Sequence, residues 1–155
     1  MWVGGNGGID VYNYLSNSFE NYGISPGTGE WYISGILQDR EGKIWACSNS
    51  GELYVSDKQR KKFTTVLTSK TSGIGEVYGL VLWNNHLLLG TGSGLWTFDM
   101  QTRTITKWHV GLPTVRINCL YEDKGSLWIG TEGRGCFNGR HQPKPLKIYF
   151  VRRCW

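Results

Sequence analysis

The chain of 155 residues lacks the sequence features that mark membrane segments, signal peptides and metal or redox sites. No hydrophobic run is long enough to span a membrane, and no basic segment followed by an apolar one opens the sequence. We therefore predict neither a membrane segment nor a signal peptide. Only four cysteines are present, and none forms a Cys-x-x-Cys pair, which argues against a zinc or redox motif. We predict no metal site and no cofactor.

The residues that usually carry catalysis are also sparse. The three histidines, His86, His109 and His141, have neither metal-ligand spacing nor an evident acidic partner. The sequence lacks a Gly-x-Ser-x-Gly motif. The glycine-rich stretches 4–8 and 90–94 precede no predicted helix, and they are therefore structural turns rather than phosphate loops. No catalytic residue is predicted.

The net charge of +5 is concentrated at one end of the chain. Residues 140–155 hold five basic residues and no acidic one, and the rest of the chain has equal numbers of both. A basic tail could contact nucleic acid, but we favour a solvated, off-pattern tail and predict no nucleic-acid partner. Cys47 and Cys119 fall in strand-like segments and are predicted to be small core residues.

What the sequence does have is glycine, tryptophan and a repeat. It contains 22 glycines and eight tryptophans. Stretches 38–51, 83–94 and 121–135 are similar to one another, and residues 2–8 match the second half of the same unit. An internal period of about 40–45 residues, with strands in every unit, indicates propeller blades. The anchor positions of the repeat are Trp2, Trp45, Leu88 and Trp128.

These repeats predict an all-β fold, a partial β-propeller of about three to three and a half four-stranded blades. The predicted propeller spans residues 1–139, and its blades are 1–22, 33–67, 77–108 and 115–139. The fourth blade departs from the pattern after Gly135. Its outer two strands are expected to be missing or replaced, with 146–151 as a substitute strand.

The repeat motif resembles a known family. The pattern includes Leu127-Trp128-Ile129-Gly130-Thr131, and Leu89-Gly90-Thr91 followed by Phe98-Asp99. A third copy, Ile33–Trp45, is followed by Ala-Cys-Ser in place of Ile-Gly-Thr. Over about residues 1–135 the chain resembles the two-component regulator propeller repeat. That resemblance implies seven-bladed propellers in the periplasmic sensor region of bacterial hybrid histidine kinases, where the ligand is often an oligosaccharide.

On this resemblance, we expect a ligand-sensing propeller fragment of a two-component receptor, without enzymatic activity and located in the periplasm. Its partners would be an oligosaccharide and further blades of a parent chain, or other copies of itself. Signalling would follow ligand-dependent packing or dimerisation. The alternatives are a propeller enzyme of lyase or glycosidase type, and a protein-interaction propeller. An incomplete ring would leave blade faces bare, so we also expect poor solubility or association.

Two sets of residues follow from the repeat. Asp123–Trp128 resembles the core of the Asp box of sialidase-type propellers, in which the Asp and the Trp brace a hairpin. The residues predicted to be structural are Asp39, Trp45, Gly90, Thr91, Asp123, Trp128, Gly130 and Thr131.

Ligand contacts are expected from loops 23–32, 69–76 and 110–114, which join one blade to the next. Trp31, Tyr32 and Tyr78 are candidates to stack on a sugar ring. Arg116 and Asn118 are candidates to hydrogen-bond sugar hydroxyls. The competing interpretation for each of the five is packing at a blade edge.

Overall fold

A computed structural model describes residues 1–6, 8–24, 31–108, 112, 114–140 and 147–149. Within these ranges the chain forms fifteen strands in four antiparallel sheets, and one single-turn helix. The protein is a partial β-propeller, as predicted. The chain divides into two compact units, Met1–Val77 and Tyr78–Trp155. Loops 23–32 and 110–114 lie partly outside the described residues, as does the tail 140–155, and His109 and His141 lie wholly outside them.

The first unit contains two sheets. The first sheet has three strands, β1 (Trp2–Gly5), β2 (Gly8–Asn13) and β3 (Ser18–Tyr22). The second has four strands in the order of the chain, followed by helix α1 (Ser69–Ser72), which lies in one of the predicted loops. Its strands are β4 (Ile33–Gln38), β5 (Ile44–Ser48), β6 (Leu53–Ser56) and β7 (Phe63–Leu67).

The third sheet repeats the plan of the second, and each of its strands pairs with the next one in the chain. This order follows from the short turns, because a two- to five-residue loop can only join antiparallel neighbours. In the two-residue turn at Asn84 and Asn85, both residues take the positive φ angles that such tight hairpins need (48° and 64°). The strands are β8 (Val77–Trp83), β9 (His86–Thr91), β10 (Gly94–Asp99) and β11 (Ile105–Lys107).

The fourth sheet is more complete than the sequence pattern predicts. It contains β12 (Ile117–Asp123), β13 (Ser126–Thr131), β14 (Gly135–Arg140) and β15 (Lys147–Tyr149). The third strand is therefore present as β14. The fourth, β15, pairs with β14 and lies inside the 146–151 segment that we expected as a substitute. The assignment of residues 140–155 to a separate tail stays a prediction.

The core of the first unit lies between its two sheets. Ile9 and Ile24 meet Ile33, Ala46 and Tyr54 of the second sheet, and all five are buried. Aromatic rings extend this contact outward, with ring centroids 5.7–6.0 Å apart. The three rings belong to Trp2, Tyr22 and Phe63.

A glycine in β1 permits the close approach of the two sheets. A Cβ atom on Gly4 would lie 2.6 Å from Cγ2 of Ile33, the first residue of β4. Gly90 of β9 has the same relation to Ile117 of β12, at 2.8 Å. The glycine of the repeat motif is therefore the site where the next sheet's first strand packs.

The core of the second unit repeats this arrangement between the third and fourth sheets. One face of the third sheet packs against one face of the fourth sheet, because alternate residues of a strand point to the same side of a sheet. The seven buried residues are Trp83, Leu88, Leu95, Ile117, Leu127, Ile129 and Phe137.

The two cysteines predicted to be core residues differ. Cys47 is fully buried in β5, as predicted, and burial raises the pKa of its thiol to about 12. The prediction for Cys119 is wrong, because this residue is exposed. Cys119 lies in β12 on the face of the fourth sheet opposite the core, together with Tyr121 (64% exposed) and Trp128 (37% exposed). We call these three residues the outer face.

Within the described ranges, no helix has the length and apolar character needed to cross a lipid bilayer.

Candidate functional site

In each sheet that carries them, the candidate ligand residues lie at the edge where the first strand begins and the second strand ends. We call it the loop edge. In the second sheet the backbone N–H of Tyr32 donates to Oδ1 of Asn49 (2.7 Å). The N–H of Asn49 donates back to the carbonyl of Tyr32 (3.0 Å). In the fourth sheet the N–H of Glu132 donates to the carbonyl of Arg116 (2.9 Å). These bonds fix the residue that precedes each first strand.

Four of the five candidates occupy two repeated positions at this edge. Tyr32 and Arg116 each precede the first residue of a first strand, whereas Tyr78 and Asn118 are each the second residue of one. In the fourth sheet the register shifts between Ile117 and Cys119, so that Asn118 lies at a β-bulge and is exposed. Bulges commonly redirect a side chain beside a functional site.

The structure brings Tyr78 and Arg116 together. The Cζ atom of the Arg116 guanidinium lies 3.9 Å from the centroid of the Tyr78 ring, which is a close cation–π contact. The strand that carries Tyr78 and the residue that precedes β12 belong to neighbouring sheets, so this contact joins two blades of the second unit. Tyr78 is also close to Gly92, whose hypothetical Cβ would lie 3.9 Å from the ring.

Trp31 and Tyr32 belong to the first unit, and their surroundings differ. Trp31 is half-buried and packs against the core of that unit, which contains Ile24 and Ile33. Tyr32 is 44% exposed. Its ring is therefore the accessible one of the two, although the role of both in binding stays a prediction.

Asp39 has the geometry of a hairpin brace. Its Oδ1 accepts hydrogen bonds from the N–H groups of Glu41 and Lys43, each at 2.9 Å. Its Oδ2 accepts from the indole Nε1–H of Trp45 at 2.7 Å. One carboxylate thus closes the β4–β5 turn and anchors the indole.

The corresponding turn of the fourth sheet is built differently. Asp123 pairs with Ser126 across a two-residue turn in which Lys124 and Gly125 both have positive φ (47° and 76°). The turn is closed by Glu122, whose Oε1 accepts from the N–H of Gly125 at 2.9 Å. The bracing role of Asp123 and Trp128 stays a prediction.

The Gly-Thr pairs of the repeat organise the turn between the second and third strands. The hydroxyl of Thr91 donates to the carbonyl of Gly94 (2.8 Å), and that of Thr131 donates to Gly135 (2.7 Å). Gly130 lies opposite Cys119, and a Cβ on it would approach Sγ of that residue to 2.4 Å. The structural role of Gly90, Thr91, Gly130 and Thr131 stays a prediction.

Sequence reasoning missed one acid–base contact. Nε2 of His86 lies 3.5 Å from Oδ2 of Asp99, because β9 begins beside the end of β10. Oδ1 of Asp99 accepts from the N–H groups of Gln101 and Thr102, at 2.8 and 2.9 Å. These backbone donors, more than His86, hold the pKa of Asp99 below its ordinary value. The pairing His86↔Asp99 could have been found from the β9–β10 hairpin register.

The described part of the chain contains no group of three or more His, Cys, Asp or Glu residues that could hold a metal ion. The loop edge instead combines an aromatic ring, a guanidinium and an exposed amide. Such a set can bind uncharged hydroxyl-rich molecules through stacking and hydrogen bonds.

The comparison with known families finds a match in the repeat that contains Arg116 and Asn118. Residues 111–133 match the model of the two-component regulator propeller. No curated protein matches the chain.

Several solved structures share the fold. One is the extracellular domain of a protein described as a hybrid two component system from B. thetaiotaomicron. It has 21% identity and a TM-score of 0.70, over 98% of this chain and 21% of that chain. A second structure of that protein, there described as a one component system, gives 23% identity and a TM-score of 0.72, over 95% and 20%.

The extracellular domain of another hybrid two component system from B. thetaiotaomicron gives 20% identity and a TM-score of 0.71, over 92% of this chain and 20% of that chain. The present chain thus spans about a fifth of the length of these structures. At this level of identity the likeness establishes a shared propeller fold.

Proposed function

We propose that the chain is a ligand-sensing propeller segment of a bacterial two-component receptor, located outside the cytoplasmic membrane in the periplasm. The proposal is supported by the regulator-propeller match at residues 111–133. It is also supported by the fold shared with extracellular domains described as parts of hybrid two component systems. We further propose that this segment binds its ligand without chemical turnover.

The observation that carries the proposal is the Tyr78–Arg116 contact at the loop edge. A guanidinium that stacks on a ring keeps its N–H groups in the plane of the fork, where they can reach a ligand hydroxyl. Among the described residues, the Arg116 side chain has that ring as its partner and no carboxylate. The adjacent Asn118 offers an exposed amide donor and acceptor. This combination favours an oligosaccharide as the ligand.

Signalling would use contacts between blades. The Tyr78–Arg116 pair joins two neighbouring sheets. A ligand that binds Arg116 would therefore also change how these two sheets pack. A ligand changes the state of a receptor only if it binds one arrangement of blades or subunits more tightly than the other. We propose ligand-dependent packing or dimerisation as that change.

Screening the purified chain against a panel of short oligosaccharides, followed by calorimetry of the hits, tests this function. The variants Arg116→Ala and Asn118→Ala should each weaken binding by about tenfold, the effect of losing roughly 1.4 kcal/mol of contact. Any hit recovered unchanged after the incubation would agree with binding without turnover.

The matched control is Arg103→Asn. Arg103 is an exposed arginine in the β10–β11 turn of the same unit with φ of 57°, a conformation that asparagine tolerates. Its replacement removes the same charge and should leave binding unchanged. Equal losses in Arg103→Asn and Arg116→Ala, or the absence of any hit, would contradict the proposed site.

A further inference from the structure

A groove on the first unit has features that neither the repeat motif nor the proposed loop-edge site explains. It runs between β3, the last strand of the first sheet, and β7, the last strand of the second. Its volume of about 470 Å³ falls in the range typical of small-molecule sites, about 300–1,000 Å³. Its walls come from residues 20–24 and 61–63, together with Tyr54 and Thr65.

Aromatic rings form a rigid side of the groove. Tyr22 and Phe63 both line it, with ring centroids 6.0 Å apart at an interplanar angle of 73°. Trp2 packs against both rings and holds them in place. Because Tyr22 and Phe63 are only half-buried, they offer the flat apolar area on which the C–H groups of a sugar ring pack.

Three charged residues and an amide line the groove. Lys61 and Lys62 line one wall and Glu20 the other. Among the described residues, neither lysine side chain has an ion-pair partner. Asn21 uses its Nδ2 to donate to Asp10 (2.7 Å), which leaves its Oδ1 as an acceptor. With two cations and one anion, the lining carries a net positive charge.

Two tyrosines of different burial also line the groove. Burial and the neighbouring Glu20 carboxylate raise the pKa of Tyr22. Tyr54 is only 2% exposed and belongs to the buried core of the first unit.

We propose that this groove binds an acidic sugar, with the carboxylate of a hexuronate unit held by Lys61 and Lys62 and its ring packed on Tyr22 and Phe63. Glu20 and Asn21 then accept hydrogen bonds from the sugar hydroxyls. A neutral sugar would use the rings but leave both lysines without a partner. A simple anion would use the lysines but leave the rings bare. None of the loop-edge candidates Tyr78, Arg116 and Asn118 lines the groove, so this inference does not rest on the proposed function.

Titration of the whole chain with trigalacturonate, monitored by calorimetry, tests the groove. Neutral trigalactose and inorganic sulfate serve as the comparison probes. We expect saturable binding of trigalacturonate that weakens with added salt, and binding of each comparison probe that is weaker by at least about tenfold. Equal binding of the acidic and neutral sugars, equal binding of sulfate, or no binding of trigalacturonate would overturn the proposal.

Variants locate the binding. Lys61→Gln/Lys62→Gln should weaken trigalacturonate binding by at least about tenfold. Lys58→Gln/Lys70→Gln removes the same charge from exposed lysines that do not line the groove, and it should bind as wild type does. Similar losses in both double variants would show attraction to overall charge and refute the groove.

A third variant separates this site from the loop edge. Arg116→Ala should retain trigalacturonate binding even where it abolishes binding of a loop-edge ligand. Loss of trigalacturonate binding in Arg116→Ala alone would show that the acidic sugar binds at the loop edge. That result would overturn the groove assignment and leave the proposed function intact. Circular dichroism of each variant confirms that the strands remain folded.

Discussion

At the scale of single residues, Asp39 connects the turn of its hairpin to a tryptophan. Three N–H groups converge on its two oxygens, two from the turn backbone and one from the indole of Trp45. Hydrogen bonds to a charged acceptor are shorter and stronger than neutral ones. The carboxylate therefore couples the shape of the turn to the position of the anchor tryptophan.

Replacing Asp39 with alanine should lower the free energy of unfolding by about 1–3 kcal/mol, because three donors lose their acceptor. Urea denaturation followed by tryptophan fluorescence measures the change. Glu41→Ala is the control, since Glu41 forms only a surface pair with Lys43 and its side chain is 70% exposed. That change should cost less than about 1 kcal/mol. Equal costs for the two variants would show that Asp39 is not a brace.

The residue scale also shows where prediction from sequence stops. The repeat motif predicts Asp39 and Trp45, because a motif with fixed spacing also fixes the local geometry of its residues. The contact between Tyr78 and Arg116 depends on how two sheets stack, which no local pattern encodes. The sequence predicts the two residues as separate ligand contacts, whereas in the structure they form one cation–π pair.

At the scale of elements, the turns between the third and fourth strands of the second and third sheets each contain an aspartate that accepts backbone hydrogen bonds. In the second sheet Oδ1 of Asp57 accepts from the N–H of Lys61 (2.8 Å), and in the third sheet Asp99 accepts from Gln101 and Thr102. Asp99 is the last residue of β10 and Asp57 directly follows β6, and both shape the turn that comes next. The sequence shows them as the last residue of a repeated stretch, but only the structure shows their partners.

The lowered pKa of Asp99 makes the third sheet sensitive to acid. A carboxyl with a lower pKa in the folded state than its ordinary 3.8 stabilises the fold above that pH. The stabilisation is lost as the pH falls through the folded-state pKa, because the unfolded chain binds the proton more readily. Asp99→Asn should therefore be less stable than wild type at neutral pH, and the difference should vanish below that window.

Unfolding by urea across a series of acid pH values measures this difference. His86→Gln should change the acid profile less than Asp99→Asn, since backbone donors contribute more than His86 to the lowered pKa of Asp99. If Asp99→Asn follows wild type at every pH, the turn contacts of Asp99 contribute no stability.

The fourth sheet shows why elements can form where a sequence pattern fails. Strand β14 carries one large apolar residue, Phe137, which is 2% exposed and packs in the core. Its backbone pairs along its whole length with β13, from Thr131↔Gly135 to Ser126↔Arg140. Pairing of backbone groups needs no particular side chain, so one well-placed ring is enough to retain a strand that the motif does not predict.

At the scale of the whole molecule, the outer face is a sheet face that exposes large aromatic side chains. Tyr121 and Trp128 lie directly across from each other on β12 and β13, 64% and 37% exposed, with Cys119 nearby. The equivalent positions of the third sheet, Val81 and Leu88, pack in the core of the second unit. An exposed apolar patch of this kind drives association.

The chain should therefore associate in a concentration-dependent manner in sedimentation velocity experiments. Tyr121→Lys should shift it towards the monomer, because a charge on the outer face opposes apolar contact. Leu15→Lys is the control, since Leu15 is 99% exposed in the β2–β3 turn, away from any sheet face. A wild-type chain that stays monomeric at the highest soluble concentration would contradict this prediction.

The strand order within the sheets has a kinetic consequence. Every strand in each of the four sheets pairs with its immediate neighbour in the chain. Short sequence separation lowers the entropy lost on closing each loop, and chains rich in local contacts cross their folding barrier quickly. Each sheet can then form as its own hairpins emerge during synthesis, before the rest of the polypeptide has left the ribosome.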